Sequence, residues 1–462
     1  MNNKPSIPQG TRDFNAETIR KRNYIFSTIR SVFECCGFEP LETPALENIE
    51  TLMGKYGEEG DKLVFKILNN GLNNKEKEAK TRAGFEQVMN GKTTADITER
   101  ALKYDLTIPF ARYVAMNRNA LVFPFKRYQV QPVWRADRPQ KGRYREFWQC
   151  DADVVGSDSL LYEAELAFIY ATVFTRLRLT GYRILMNNRK ILSAIAESCG
   201  ASEKFTDITI AIDKLDKLGL EKVMEELKQK GFTDIQLNRI RDYLCISGNN
   251  DQKLEQLSKL IGESVIGKKG MTECRWVLDA CKEDKITLEL DLTLARGLDY
   301  YTGIIYEAQA PPSVKIGSIG GGGRYDDLTG LFGSPGITGV GISFGVDRIY
   351  DVLEEMDLFP PSLQNQTKAV FFNLGEKECM FAYKYVKQLR NAGIACEIFP
   401  DMQKIDKQFK YAERKKIPFA IIIGSHEMEK GIGQVKDLTT GTQKEIELDH
   451  LVSFFTTESH SF

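Results

Sequence analysis

Histidine is scarce in this sequence. Only three of the 462 residues are histidine, and all three lie near the C-terminal end: His426, His450 and His460. The first 400 residues therefore contain no histidine that could act as a general base or as a zinc ligand. This excludes the H-E-x-x-H type of zinc site from that part of the chain.

Paired cysteines and long apolar runs are also missing. The nine cysteines are scattered, and no two of them have the C-x-x-C spacing. This argues against a zinc ribbon or a disulfide scaffold and is typical of a reducing compartment. The sequence begins without an apolar signal segment and contains no run of about 18 uncharged apolar residues. We therefore expect a cytoplasmic protein with no membrane partner.

Neither sign of charge is in excess. The chain has 63 Lys and Arg against 64 Asp and Glu, a net charge of −1. Because phosphate contacts need clustered Lys and Arg, any RNA contact must come from local basic patches. A length of 462 residues suggests two to four domains at about 150 residues each.

Periodicity divides the chain into segments of different texture. A helical apolar stripe covers residues 16–36, and strand-like runs follow between 63 and 150. From 200 to 286, Lys, Glu, Asp and Leu dominate with helical spacing, and strands return at 287–294 and 303–309. After a proline-containing linker, β-α-β-α-β alternation predicts a small α/β domain with a largely parallel sheet. We expect a core from 1–199 and 287–357, a helical insertion at 200–286, a linker at 358–367 and a last domain at 368–462.

The densest cluster of chemistry-bearing residues is WRADRPQKGRYREFWQCDADVVG, residues 134–156. It predicts a hairpin with a basic loop that contains Arg135, Arg138, Lys141, Arg143 and Arg145. Phe147 and Trp148 follow directly. A solvated charged hairpin is one interpretation. The other is a nucleotide site, in which guanidinium groups bind phosphates and a ring stacks on a base.

Three further segments have unusual local composition. LTLARGLDYYTGIIYE (292–307) contains Arg296 and the pair Tyr300–Tyr301, which would face opposite ways in a strand. SIGGGGRYDDLTGLFG (318–333) contains a glycine run at 320–323 that predicts a turn. GVGISFGVDRIYDVL (339–353) predicts a strand leading into a helix, with Arg348 in the first turn against the helix dipole. Core tyrosines, a plain turn and a surface arginine are the alternatives.

In this order, the segments resemble the class II aminoacyl-tRNA synthetases, and within them the histidyl-tRNA synthetases. Gly37 to Pro44, Arg135 to Asp153 and Gly339 to Arg348 look like the three class motifs. ARGLDYYTG and GGGGRYDDL look like the two signatures peculiar to the histidine enzymes, and this pair is highly specific. The resemblance implies an α+β catalytic core with an antiparallel sheet, a helical insertion, a C-terminal α/β anticodon-binding domain and a homodimer.

The resemblance also implies a reaction and the residues that bind ATP. ATP activates L-histidine to histidyl-adenylate with release of pyrophosphate, and the histidine is then transferred to tRNA(His). Arg135 and Arg296 would hold the α-phosphate from two sides as the catalytic cations. Arg348 would bind the γ-phosphate with help from Arg143, and Phe147 would stack on adenine. Mg²⁺ is expected to accompany ATP, and its ligands are not apparent from the sequence.

Histidine recognition is likewise implied by the resemblance. One group of residues would hold the amino end of the substrate, and a second would surround the imidazole; the first comprises Asp105, Thr107 and Gln149, and the second Asp153, Tyr301, Tyr300 and Tyr325. Buried polar partners can reject analogues that lack the ring N–H by roughly 10⁴-fold or more. Asp137 departs from the class pattern, which often has glutamate there.

A second basic patch lies in the C-terminal segment. Lys407, Lys410 and Arg414 share one face of a predicted helix. A solvated helix face is the plain interpretation. The resemblance instead implies tRNA binding, because anticodon bases are recognised by basic and aromatic side chains.

Two other functions compete with the synthetase. The regulatory subunit of ATP phosphoribosyltransferase shares the core fold but is a histidine-sensing module, expected to lack the anticodon domain and some of the arginines. Arg135, Arg296 and Arg348 are all present here. A prolyl or threonyl synthetase is the other alternative, and the two histidine signatures and the missing N-terminal histidines argue against it.

Overall fold

The computed structural model describes residues 4–283, 286–295, 300–363 and 366–457. These residues form two compact units. The first comprises residues 4–13 and 22–358, and the second comprises residues 14–21 and 359–457. Within the described ranges no helix combines the length and the apolarity that crossing a bilayer requires.

The strands are numbered in chain order. They are β1 (Glu39–Pro40), β2 (Leu46–Asn48), β3 (Lys66–Ile67), β4 (Arg100–Leu102), β5 (Phe125–Trp134), β6 (Glu146–Val155), β7 (Arg183–Asn188), β8 (Leu288–Leu290), β9 (Ile304–Gln309), β10 (Ser318–Tyr325), β11 (Gly339–Gly345), β12 (Ala369–Phe371), β13 (Cys396–Ile398), β14 (Phe419–Ile422), β15 (Ile432–Asp437) and β16 (Gln443–Glu447).

The helices are numbered in the same way. They are α1 (Ala16–Cys35), α2 (Ile49–Leu52), α3 (Gly57–Lys62), α4 (Glu78–Met89), α5 (Thr107–Asn117), α6 (Leu161–Arg176), α7 (Arg189–Ser198), α8 (Phe205–Asp213), α9 (Leu215–Leu218), α10 (Leu220–Gln229), α11 (Asp234–Leu244), α12 (Asn250–Ile261), α13 (Val265–Glu283), α14 (Val346–Glu355), α15 (Glu376–Asn391), α16 (Ile405–Arg414), α17 (Ser425–Lys430) and α18 (Leu451–Thr457).

The first unit is built on an eight-stranded sheet in the order β1-β5-β6-β11-β10-β9-β7-β8. The six strands from β5 to β7 in this order are antiparallel to their neighbours, and β1 and β8 join the two edges in parallel. A second, three-stranded sheet has the order β2-β4-β3. The antiparallel core predicted from the sequence is therefore confirmed.

The glycine run at 320–323 is not a turn, as the sequence predicted, but the middle of β10. Its two neighbours, β9 and β11, approach so closely that a side chain would collide with them. A Cβ on Gly322 would lie 2.2 Å from the carbonyl oxygen of Gly341, and one on Gly320 would lie 2.8 Å from the Tyr170 ring. Glycine here permits close packing within a sheet, which local turn statistics cannot distinguish from a bend.

Buried apolar side chains of α1 support one face of this sheet. Ile25, Phe26, Ile29, Val32 and Phe33 are buried, as the helical spacing predicted. Phe33 contacts the Phe344 ring of β11, with ring centroids 5.9 Å apart. Ile19, which the predicted stripe also included, is instead 40% exposed.

Residues 200–283 are almost entirely helical, in agreement with their sequence texture. Two glycines let α13 lie close against α7: a Cβ on Gly267 would be 3.0 Å from that of Ala194, and one on Gly270 would be 3.0 Å from that of Lys190. The boundaries of an inserted domain, 200 and 286, remain a prediction.

The second unit has a five-stranded sheet in the order β13-β12-β14-β15-β16. The three strands that the sequence predicted, β12, β13 and β14, are parallel. The last two strands form an antiparallel hairpin that the prediction missed. Polar residues at most positions of β16 hid its strand character, and the sheet is mixed rather than largely parallel.

Candidate active site

Two adjoining pockets open on one face of the eight-stranded sheet. The larger has a volume of about 280 Å³, and the smaller is a pocket of about 20 Å³. Tyr301, Gly321 and Ser343 line both of them. A ligand in the larger pocket therefore lies next to a ligand in the smaller one.

The alternation of side chains along β6 places the polar residues of the site. Gln149, Asp151 and Asp153 are two residues apart and point to the same face of the sheet. Their neighbours across the register on β11 are small: Gly345, Ser343 and Gly341 respectively. The missing side chains on β11, and those at Gly321 and Gly323 of β10, leave room for a ligand above the sheet.

The larger pocket is lined by cations. Arg135, Arg143 and Arg348 all lie on its wall, together with Phe147. The Arg135 guanidinium lies 4.2 Å from the Tyr104 ring centroid and 5.2 Å from that of Phe147. Its Nε donates to the Tyr104 carbonyl oxygen over 3.1 Å, which fixes its direction.

Arg348 is held by backbone carbonyls rather than by a carboxylate. Its Nε donates to Gly142 and its Nη1 to Ser318, each over 2.7 Å. Burial lowers the pKa of Arg348, and the neighbouring Arg135 and Arg143 lower it further. Like charges that lower one another's pKa indicate a site prepared for a polyanion.

The smaller pocket is acidic and aromatic. Asp153 Oδ2 lies 2.8 Å from Nη2 of the fully buried Arg127, and the Tyr325 hydroxyl donates to Asp153 Oδ1 over 2.6 Å. Burial raises the pKa of Asp153, while Arg127 and the Tyr325 hydroxyl oppose the rise. Thr107 and Tyr301 complete the wall.

Asp105 lies directly before α5 and is buried. Its Oδ1 accepts from the Ile108 backbone N–H (3.2 Å) and from the Tyr56 hydroxyl (3.0 Å), so it caps the helix that the sequence predicted here. The Tyr300 hydroxyl is 3.4 Å from Asp105 Oδ2. Burial raises the pKa of Asp105, and the Ile108 hydrogen bond and Arg135 are the main opposing effects.

Tyr300 and Tyr301 do not face opposite ways as they would in a strand, because β9 begins only at Ile304. Their ring centroids are 5.0 Å apart in an edge-to-face arrangement, and the Tyr300 and Tyr325 centroids are 6.1 Å apart. The three tyrosines thus form one aromatic cluster at the smaller pocket. Arg296, just before this pair, lies outside the described residues, so its predicted place on the α-phosphate stays a prediction.

Several residues of the site were missed from the sequence. Asp151 could have been found, because it shares the alternation of Gln149 and Asp153. Ser343 and Arg127 gave no signal, since each becomes a neighbour of the pocket only through strand pairing. Asp137, the departure from the class pattern, lines the larger pocket and lies 3.1 Å from the Arg143 guanidinium.

The predicted tRNA-binding residues lie on α16 in the second unit. Lys407, Lys410 and Arg414 are exposed, while Gln408 and Ala412 on the same helix are buried. Lys407 Nζ donates to the Gln403 side chain over 3.2 Å. The three cations thus remain accessible to a ligand.

An antiparallel sheet with arginines over one pocket and carboxylates over the next defines the catalytic core of a class II aminoacyl-tRNA synthetase. A protein-family profile described as histidyl-tRNA synthetase matches residues 87–349, and one described as an anticodon binding domain matches residues 368–458. A histidine–tRNA ligase of Christiangramia forsetii is 51% identical over 98% of this chain and 99% of that protein. The chain belongs to the histidyl-tRNA synthetase family, and its enzyme class is that of the histidine–tRNA ligases.

Solved structures agree with this assignment. The crystal structure of histidyl-tRNA synthetase from a Nostoc species has a TM-score of 0.80 and 32% identity, and covers 98% of this chain and 99% of that one. A Bacillus halodurans structure titled as an ATP phosphoribosyltransferase regulatory subunit/histidyl-tRNA synthetase has a TM-score of 0.69 and 18% identity, and covers 88% of this chain and 97% of that one. The latter likeness shows the fold alone, whereas the sequence relatives favour the ligase over the regulatory subunit.

Proposed function

We propose that this enzyme binds ATP in the larger pocket and L-histidine in the smaller one, and that it loads the activated histidine onto tRNA(His). The observation that supports this placement is the division of one sheet face into a cationic pocket and an acidic pocket that share a wall. A polyphosphate fits the first, and a small cationic amino acid fits the second. The shared wall is where the two substrates would react.

In the first reaction, a carboxylate oxygen of histidine attacks the α-phosphorus of ATP, and the bond to the pyrophosphate oxygen breaks. Negative charge builds up on the α-phosphate, which Arg135 and Arg296 would stabilise from two sides. Arg348 and Arg143 would hold the γ-phosphate, and Phe147 would stack on adenine. Because Arg135 and Arg348 are already held by backbone carbonyls, they need little reorganisation when ATP arrives.

Histidine would enter with its amino group toward Asp105, Thr107 and Gln149. Asp153 and Tyr301 would contact the imidazole, and Tyr300 and Tyr325 would line its ring. The buried carboxylates favour the ammonium group of the substrate over neutral competitors, since unpaired buried negative charge is costly.

Mg²⁺ would accompany ATP. Among the described residues no cluster of three or more His, Cys, Asp or Glu side chains could hold a metal ion. Asp137 and Asp347 line the larger pocket, but arginines pair with both. The phosphates and water are therefore the main ligands proposed for Mg²⁺, as is common for this ion. Pyrophosphate exchange that persists in excess EDTA would contradict its involvement.

The remaining assignments concern assembly. We propose that residues 368–462 bind the anticodon of tRNA(His) through Lys407, Lys410 and Arg414, and that 200–286 is an inserted domain. We further propose a homodimer through the segment from Gly37 to Pro44, which contains the edge strand β1. Sedimentation at micromolar concentration should give twice the chain mass. Its tRNA partner places the enzyme in the cytoplasm, and fractionation of cells would test this.

The Gly341→Ala variant tests the placement of histidine. A Cβ on Gly341 would lie 2.0 Å from Asp153 Oδ1, and that carboxylate is fixed by Arg127 and Tyr325. We expect the KM for histidine to rise about tenfold or more, because overpacking must displace Asp153. The KM for ATP should stay within about twofold, since Gly341 does not line the larger pocket.

Gly317→Ala is the matched control. A Cβ there has no heavy atom within 4 Å, so both KM values should be unchanged. Pyrophosphate exchange measures both. An unchanged histidine KM in folded Gly341→Ala protein would contradict the placement of histidine in the smaller pocket.

A further inference from the structure

Asp151 has an unused hydrogen-bonding atom in the smaller pocket. It is 2% exposed, it lines that pocket, and its Oδ1 has no hydrogen-bond partner among the described residues. Leaving a buried acceptor unpaired costs about 1–3 kcal/mol, so such an atom marks a place where a ligand supplies the partner.

Asp153, the neighbouring carboxylate, is already engaged on both oxygens. The Tyr325 hydroxyl is 2.6 Å from Oδ1, and the Arg127 guanidinium is 2.8 Å from Oδ2. In the pocket without ligand, the accepting oxygen that remains available is therefore that of Asp151.

The hydrogen bonds around Ser343 orient Asp151. Gln149 Nε2 donates to Ser343 Oγ over 2.8 Å. The Ser343 hydroxyl proton is then directed to the Asp151 carboxyl group, where a hydrogen bond from Ser343 favours ionisation. Ser343 lies directly opposite Asp151 in the register of β11 and β6. Asp151 Oδ1 is left facing the ligand space.

We propose that Asp151 is a specificity-determining residue for the amino acid: its carboxylate accepts the N–H of the substrate imidazole, and it ionises fully only when that N–H is present. This rests on the proposed placement of histidine in the smaller pocket. It gives the pocket a requirement for a ring N–H donor, which a ring of the same size without that donor cannot meet.

The charge balance of the pocket supports this coupling. Arg127 neutralises one carboxylate, and Asp153 is the one it contacts. A second ionised carboxylate in the same buried space has no cation in contact with it. Other ionisable groups that act on Asp151 come from several elements; they are Asp105 before α5, Lys103 after β4, Cys150 on β6, Tyr170 on α6, and Tyr301.

Burial, assisted by Asp153 and opposed mainly by Arg127, raises the pKa of Asp151 to about 7. The empty pocket therefore keeps a proton on Asp151 below that pH. Because an N–H donor binds the ionised form, this proton must leave when the substrate binds, and binding weakens as the pH falls below 7. For a substrate that does not itself titrate, KM at pH 6 should be about tenfold higher than at pH 8.

The test compares the variant Asp151→Asn with the wild-type enzyme in histidine-dependent pyrophosphate exchange. We expect the histidine KM to rise at least about tenfold, since a charge-assisted hydrogen bond is replaced by a neutral one. The kcat at saturating histidine should change much less. Asp158→Asn, which changes an exposed carboxylate just beyond β6, is the matched control and should behave as wild type.

The pH profile uses triazolylalanine, whose ring keeps an N–H and stays neutral between pH 6 and 8. Its KM in the wild-type enzyme should follow the titration described above, and the dependence should be absent in Asp151→Asn. This readout does not depend on the variant being fully active. A thermal melt of each protein controls for folding.

The outcomes separate this inference from the proposed function. If Asp151→Asn keeps a histidine KM within twofold of wild type, or if the wild-type KM for triazolylalanine is independent of pH, Asp151 is not the acceptor. If instead the wild-type enzyme shows no histidine-dependent exchange, the proposed function fails first.

Discussion

Replacing Arg135 with alanine should lower kcat/KM for histidyl-adenylate formation by about 10²–10³-fold, equivalent to about 3–4 kcal/mol of transition-state stabilisation. The guanidinium is fixed between the Tyr104 and Phe147 rings and by the Tyr104 carbonyl oxygen. It is therefore directed at the larger pocket before ATP binds. A flexible surface arginine would have to be ordered during the reaction and would contribute less.

The loss should appear mainly in kcat, because the charge that Arg135 meets on the α-phosphate develops in the transition state. Arg138→Ala is a matched control in the same loop, since Arg138 is exposed and does not line the pocket. It should retain exchange within about twofold of wild type. Near-normal exchange by folded Arg135→Ala protein would remove Arg135 from the catalytic role.

Reversing the charges of Lys407, Lys410 and Arg414 together should lower kcat/KM for tRNA charging by about a hundredfold and leave pyrophosphate exchange unchanged. These side chains are exposed on one helix of the second unit, so the substitutions leave its buried core intact. Each lost phosphate contact to a single strand should also reduce the slope of log affinity against log salt by about 0.7.

A control triple variant separates the local effect from the change in net charge. Lys75, Lys77 and Lys92 are exposed in the first unit, and their replacement with glutamate alters the net charge by the same amount. Charging by this control should stay within about threefold of wild type. Equal losses in both triple variants would mean that only long-range electrostatics is involved, and α16 would not be the anticodon contact.

Much of the fold could be predicted because its elements depend on local patterns. The apolar spacing of α1, the proline before β12, and the exact extents of β7 and α15 are visible in the sequence. The glycines of β10 were misread as a turn because their purpose is non-local. Each avoids a collision with a neighbouring strand or helix that the sequence alone does not place beside it.

The candidate site was predicted largely through resemblance, and the structure adds what resemblance did not supply. Arg127 reaches Asp153 from the paired strand β5, and Ser343 reaches Asp151 from β11. Neither neighbour is implied by spacing along the chain. Asp151 alone carried a local signal, because it lies between Gln149 and Asp153 on the same face of β6.

The measurement that tests the central claim most directly is amino-acid-dependent exchange of labelled pyrophosphate into ATP. Histidine should support exchange, while proline, threonine and histidinol, which lacks the attacking carboxylate, should support none. Exchange with proline or threonine in place of histidine would contradict the assignment of the smaller pocket. Folded protein that binds histidine but exchanges with no amino acid would contradict the catalytic role and favour a histidine-sensing regulatory subunit.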